Sequence, residues 1–209
     1  MKIAVVAANG AAGQLIVKEA LERGHEVTAI VRSENKSQAE KVLVKDLFDL
    51  TKEDLKDFDV VVSAFGAFTP ETLTLHSKSV EHFNDLLAGS DTRLVIVGGA
   101  GSLYVDETRT TRLLDTPDFP DEFKPLASAQ ADELDLIRQK NDLKWTFVSP
   151  AADFAPEAPK TGNYVLAGEV FTVNDKGASF ISYSDYAVAM MDIIESGKYE
   201  QERISVRGK

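Results

Sequence analysis

The stretch 1-MKIAVVAANGAAGQLIVKEALERGHEVTAIVR-32 decides the fold. Lys2 to Ala7 is a short, nearly continuous apolar run, the pattern of a strand buried on both faces. It breaks at Ala7-Ala8-Asn9-Gly10-Ala11-Ala12-Gly13. Beyond the break, Gly13, Ile16, Val17, Ala20 and Leu21 recur at helical three-and-four spacing until Arg23-Gly24 stops them. Val27 to Val31 then starts a second strand. Strand, small-residue turn, helix and strand make a βαβ unit, whose strands lie parallel and whose crossover is right-handed.

The same rhythm continues. Lys41 to Val44, Val60 to Ala64, Leu94 to Val97 and Trp145 to Ser149 read as strands, with amphipathic segments between them. One of these segments, after Pro70, carries Leu73, Val80, Phe83 and Leu87. The expected architecture is a single α/β domain over residues 1–209, a doubly wound parallel sheet covered on both faces. Two regions depart from the pattern: the polar loop Gly98 to Asp121, and the Pro-, Gly- and Asn-rich region 151–182. The latter carries a hairpin signal at Asn174-Asp175-Lys176-Gly177. Both follow carboxyl ends of strands, where such folds place ligands, so both read as pocket walls. The second forms a small substrate-side region with a hairpin.

Composition narrows the chemistry. The 209 residues contain no cysteine, which excludes disulfides, thiolate metal sites and thiol catalysis and fits a reducing cytoplasm. No apolar run is long enough to span a membrane, and the apolar start is too short for a signal-peptide core. A net charge of −11 opposes non-specific binding to nucleic acid, so local groups must hold any anionic ligand. His25, His76 and His82 are scattered and make no zinc motif. No G-x-S-x-G turn is present. Thr51 and Asp54 stand at capping-box spacing.

A turn that opens a helix after a buried strand aims backbone N–H groups at a phosphate. Ala8, Asn9, Gly10, Ala11, Ala12 and Gly13 are therefore candidate pyrophosphate contacts of a dinucleotide. Gly10 and Gly13 keep the spacing for close phosphate approach and close helix–strand packing. Ala7 replaces the usual first glycine, which a methyl tolerates if its φ stays negative. Asn9 suits the turn. A tight structural β–α connection would also use small residues here.

The end of the second strand selects the cofactor. An NAD protein would carry an acid there, about 20 residues past the turn, for the ribose hydroxyl. This chain has Arg32-Ser33, with Lys36 nearby. An arginine can grip a 2′-phosphate with two N–H bonds, so NADP (NADPH) is favoured over NAD. A solvated strand-end arginine beside Glu34 is the alternative.

AANGAAG, RGHEVTAIVR, KDLFDL, IVGGAGSL, LLDTPDFPDEFKP, WTFVSPAADFAP, KTGNY and FISYSDYAVAMMD together resemble the atypical, extended-type short-chain dehydrogenases/reductases. They resemble most the NAD(P)H-binding group named for NADH-flavin reductases, and more distantly biliverdin reductase B and NmrA-like proteins. The resemblance covers essentially the whole chain and implies a Rossmann-like fold. It implies that Asp46 and Leu47 line the adenine and that Ala64, Phe65 and Gly66 pass under ribose and pyrophosphate. It places Ser149 to Ala151 near the nicotinamide. By residue type alone, Asp46 is equally a loop acid.

Short-chain dehydrogenases that act on alcohols use a Tyr-x-x-x-Lys pair on the helix before the sixth strand, the tyrosine carrying the proton. Here that helix, Asp121 to Lys140, has no tyrosine; Phe123 stands in its place, and Lys124 has nothing to activate. Reduction of a flavin or quinone needs less, because hydride passes between two stacked rings and water can protonate the product. Phe65, Phe68, Tyr104 and Phe154 are candidate stacking residues, each also a candidate for the core. Ser102 is the one weak catalytic candidate, equally a loop-capping serine. Gly98-Gly99-Ala100-Gly101 suits either close cofactor approach or a flexible turn.

The sequence therefore points to an NADPH-dependent reductase of a small flat acceptor, flavin or quinone, without metal, nucleic acid or membrane. A non-catalytic dinucleotide sensor of the NmrA-like type is the alternative. A sugar-nucleotide epimerase is disfavoured by the missing tyrosine.

Overall fold

Alternation of side chains along each strand builds the core as two layers. In β1 (Lys2–Val6), Ile3 and Val5 face one side of the sheet and Ala4 and Val6 the other. β4 (Val60–Ser63) and β5 (Arg93–Val97) divide in the same way, Val60, Val62 and Val95 opposing Val61, Leu94 and Ile96. The first set packs against α1 (Ala11–Glu22) and α5 (Tyr183–Ser196). The second packs against α3 (Leu75–Leu87) and α4 (Lys124–Ile137). Each large apolar side chain so buried contributes roughly 1.5–3 kcal/mol. Both faces need helices, which is why these strands read as continuous apolar runs.

The computed structural model describes all residues 1–209. The remaining elements are β2 (Glu26–Val31), β3 (Lys41–Val44), α2 (Lys52–Leu55), β6 (Trp145–Ser149), β7 (Asp153–Ala155), β8 (Tyr164–Ala167), β9 (Phe180–Ser182) and β10 (Glu202–Gly208). The main sheet runs β3-β2-β1-β4-β5-β6-β10-β8, parallel throughout except for β8. Ile3 pairs with Val27 on one side and Val60 on the other, so crossovers leave β1 in opposite directions. A crevice therefore opens at the carboxyl ends of β1 and β4. No helix is long and apolar enough to cross a membrane. Thr51 and Asp54 do form a capping box on α2.

Three features differ from the sequence reading. The sheet gains β10, which lies parallel to β6 with Ile204 beside Val148, and β8 antiparallel to β10. Arg203 and Arg207 interrupt β10's apolar alternation, so it does not read as a buried strand. At Asn174 there is a turn but no hairpin: Asn174 Oδ1 accepts from Lys176 N and Ala178 N, while the flanking chain pairs elsewhere. Phe180–Ser182 instead joins Asp153–Ala155 in a small parallel pair. Finally, Ala7 has φ +59°, not negative. The reversal from β1 into α1, closed by Gly10 N on Ala7 O at 3.0 Å, demands the left-handed region there. For an L-residue that costs about 1–2 kcal/mol.

Candidate functional site

Above the crevice lies a cleft of about 1040 Å³. Ala7, Asn9, Gly10, Ala11 and Ala12 form its floor, while Ala8 and Gly13 are buried behind it. A Cβ on Gly13 would stand 2.6 Å from Ala7 O and 2.9 Å from Ala8 Cα, so Gly13 is fixed by helix–strand packing. A Cβ on Gly10 would meet only Ala7 O, at 3.4 Å, leaving its open side to the cleft. Gly10 is also the N-cap of α1, and no side chain caps the helix. The first-turn N–H groups thus face the cleft as a site for an anion. Asn9 ties this turn to the loop after β2: its Nδ2 donates to Glu34 O at 2.9 Å and its Oδ1 accepts from Lys36 N at 2.7 Å.

One end of the cleft is formed at the tips of β2 and β3. Arg32 and Ser33 line it and are exposed; the Lys36 side chain lies outside the lining. Asp46 and Leu47 form the opposite wall, Asp46 accepting from Phe48 N at 2.9 Å and Leu47 being buried. Lys45, absent from the sequence-based candidates, also lines this end and is bound to Asp54 at 2.7 Å. Only the β2–β3 register reveals it, Lys45 N donating to Val31 O.

Ala64, Phe65 and Gly66 line the middle of the cleft, with Phe68 folded over Gly66. This segment is held from below by His76, whose Nε2 lies 3.0 Å from Ala67 O and whose ring meets Phe65 edge-on at 5.8 Å. His76 Nδ1 lies 3.4 Å from the buried Glu133 carboxylate. Burial pushes the imidazole down, but Glu133 outweighs it and leaves His76 raised; burial pushes Glu133 up. The pair joins α3 to α4 beneath the cleft. His82 instead reaches Leu50 O on a different side of α3.

The far end is formed by Gly98 to Gly101 after β5 and by Pro150, Ala151 and Ala152 after β6. Packing requires Gly98 and Gly101, whereas at Gly99 the neighbour is the movable end of Gln130. A Cβ on Gly98 would lie 2.1 Å from the Phe147 ring, on Gly99 2.1 Å from Gln130 Oε1, and on Gly101 2.6 Å from Ala127 Cβ. Aromatic side chains enclose this end: Phe119, Phe123, Phe154, Phe171 and Tyr183. Of these only Phe154 was a stacking candidate from the sequence. Its ring lies on that of Tyr183 with centroids 3.8 Å apart and planes at 29°. Tyr104 is not at the cleft; it bridges Arg112 and Val170.

Ser102 and Ser149 do not line the cleft either. Both are buried and turned toward Arg203, which donates to Ser102 Oγ at 3.1 Å and to Ser149 Oγ at 3.4 Å. Arg203 is in turn paired with Glu169, which also takes both oxygens to Arg138 at 2.7 Å. Burial pulls the Arg203 guanidinium down from its ordinary value; Glu169 is held low because the two arginines outweigh its own burial. The serines satisfy a buried cation, and this turns the Ser102 hydroxyl toward Arg203. Phe123, the N-cap of α4, lines the cleft while Lys124 does not, and α4 carries no tyrosine.

A family model described as NAD(P)H-binding matches residues 7–196, and the chain belongs to that family. A crystal structure from Streptococcus pneumoniae TIGR4, named "a putative NADH-flavin reductase", is 70% identical, covers 100% of both chains and superposes with a TM-score of 0.99. A Bacillus subtilis (strain 168) protein, YwnB, is 49% identical over 99% of this chain and 98% of its own. A Bacteroides thetaiotaomicron structure named for an epimerase is 34% identical over 99% of this chain and 96% of its own, with a TM-score of 0.87.

Proposed function

We propose that this NAD(P)H-binding protein is an NADPH-dependent reductase that passes hydride to a flavin, a quinone or a similar flat acceptor. The observation that carries this reading is the aromatic end of the cleft. Phe119, Phe123, Phe154, Phe171 and Tyr183 enclose it, which suits two stacked rings better than a polyhydroxylated substrate. The volume of about 1040 Å³ leaves room beside a dinucleotide for a second ring system. The name of the Streptococcus pneumoniae relative supports the flavin class; it specifies NADH, whereas Arg32 at the tip of β2 favours the 2′-phosphate here. The epimerase name of the Bacteroides relative carries less weight, because α4 lacks the tyrosine such chemistry needs.

The test is NADPH absorbance decay in the presence of FMN, riboflavin and menadione. Turnover with at least one of them, faster with NADPH than NADH at equal low concentration, is the expected result. Tight dinucleotide binding with no turnover would replace this reading with that of a sensor.

A further inference from the structure

The cleft holds a tyrosine that α4 does not supply. Tyr183, at the start of α5, is the sole tyrosine among the lining residues, and it reaches the aromatic end from the opposite side of the chain's topology. Its position is over-determined. Ser182 caps α5 by accepting from Asp185 N at 3.0 Å, and Asp185 accepts from Thr161 N, Gly162 N and Thr161 Oγ1 at 2.6–2.8 Å. Phe154 clamps the ring from one face. The hydroxyl, by contrast, is free. Tyr186 donates to Val148 O and Tyr164 donates to Asp192, but no group in the chain bonds the Tyr183 oxygen. A held ring on the cleft lining, with a phenol that bonds no group of the chain, is suited to a ligand oxygen.

We propose that the Tyr183 hydroxyl is the proton donor for a quinone acceptor in this cleft, a role that rests on the reductase reading above. The C4–H bond of the dihydronicotinamide breaks, and its hydrogen and electron pair form a new O–H bond at one quinone carbonyl. The ring electrons shift to the opposite oxygen, which takes the phenolic proton. Water then returns a proton to the phenolate. The sum is NADPH, one proton and quinone giving NADP⁺ and hydroquinone. A phenol carries its proton at neutral pH, and burial, with no neighbouring charge involved, pushes this one further up. A flavin makes a weaker demand, because N5 takes the hydride and the reduced ring leaves as an anion.

Tyr183→Phe removes only an unbonded oxygen, and its folding is checked by thermal midpoint and NADPH affinity. With menadione, turnover is expected to fall about a hundredfold. With FMN it falls far less, so the menadione-to-FMN ratio collapses. Equal losses with both acceptors, or an undiminished menadione rate, overturn the proton-donor role and leave the reductase reading standing. A natural protein that oxidises NADPH with neither acceptor overturns the reductase reading, and this role with it.

Discussion

Gly10 and Gly98 stand at comparable places, each just beyond a parallel strand on the border of one cleft, yet their neighbours differ. Around Gly10 the protein leaves space: an added Cβ would make one ordinary contact, with Ala7 O at 3.4 Å. Around Gly98 an added Cβ would lie 2.1 Å from Phe147. The first turn leaves open space beside Gly10, and the second lets the protein close upon itself. Gly13 shows that one motif mixes both uses, since its Cβ would collide with the backbone of Ala7 and Ala8. A glycine-rich stretch at a cleft is therefore evidence for a ligand only where the missing Cβ faces solvent space.

The largest effect expected from this comparison is at Gly10. Gly10→Val fills space that the fold does not use, so the thermal midpoint of the free protein stays near that of the natural chain while dinucleotide binding is lost. At a concentration of 100 Kd the natural protein gains about 2.7 kcal/mol from ligand, read as a thermal shift, and the variant gains none. An undiminished ligand-induced shift would move Gly10 into the class of Gly98.

Arg32→Asp sharpens the cofactor side of the same turn, to which the loop after β2 is tied through Asn9. A charged hydrogen bond contributes about 1.5–3 kcal/mol, or roughly ten- to a hundredfold in affinity. NADPH binding is expected to weaken by that factor and NADH binding much less, with the natural preference for NADPH narrowing as salt rises. Titrating both cofactors into both proteins checks it; an unchanged ratio leaves Arg32 as a solvated strand end.

The smallest effect on binding is expected at Gly98. Gly98→Ala forces the Phe147 ring aside and lowers stability by about 1–3 kcal/mol, as overpacked cores do. At about 2–4 °C per kcal/mol for a chain of this size, denaturation shifts the midpoint by several degrees. Cofactor affinity of the folded fraction should change little. A variant that kept its stability but lost NADPH would show that this glycine too serves the ligand.

Much of the framework was legible because its signals are local. Ile3 and Val5 alternate with Ala4 and Val6 within one strand, and Ile16, Val17 and Ala20 recur within one helix. Turn chemistry likewise lies within a few residues, so β1 through β6 and their parallel pairing followed from pattern. The conformation of Ala7 did not: the methyl argued for negative φ, and the geometry of the reversal overruled it.

The sequence by itself determined a parallel α/β sheet, the β1 turn that opens α1, and the cationic residue at the tip of β2. Tertiary structure alone decided the far end of the cleft. Ser102 and Ser149 looked available until β10 brought Arg203, 101 and 54 positions away in the chain, against them. Phe154 looked like one aromatic among many until the β7–β9 pairing laid it on Tyr183. The physical reason is range. Periodicity and caps act between residues a few positions apart. A buried charge or a pocket wall takes its partners from wherever the sheet delivers them, and which serine meets an arginine and which tyrosine is left unbonded is settled only when the strands are in place.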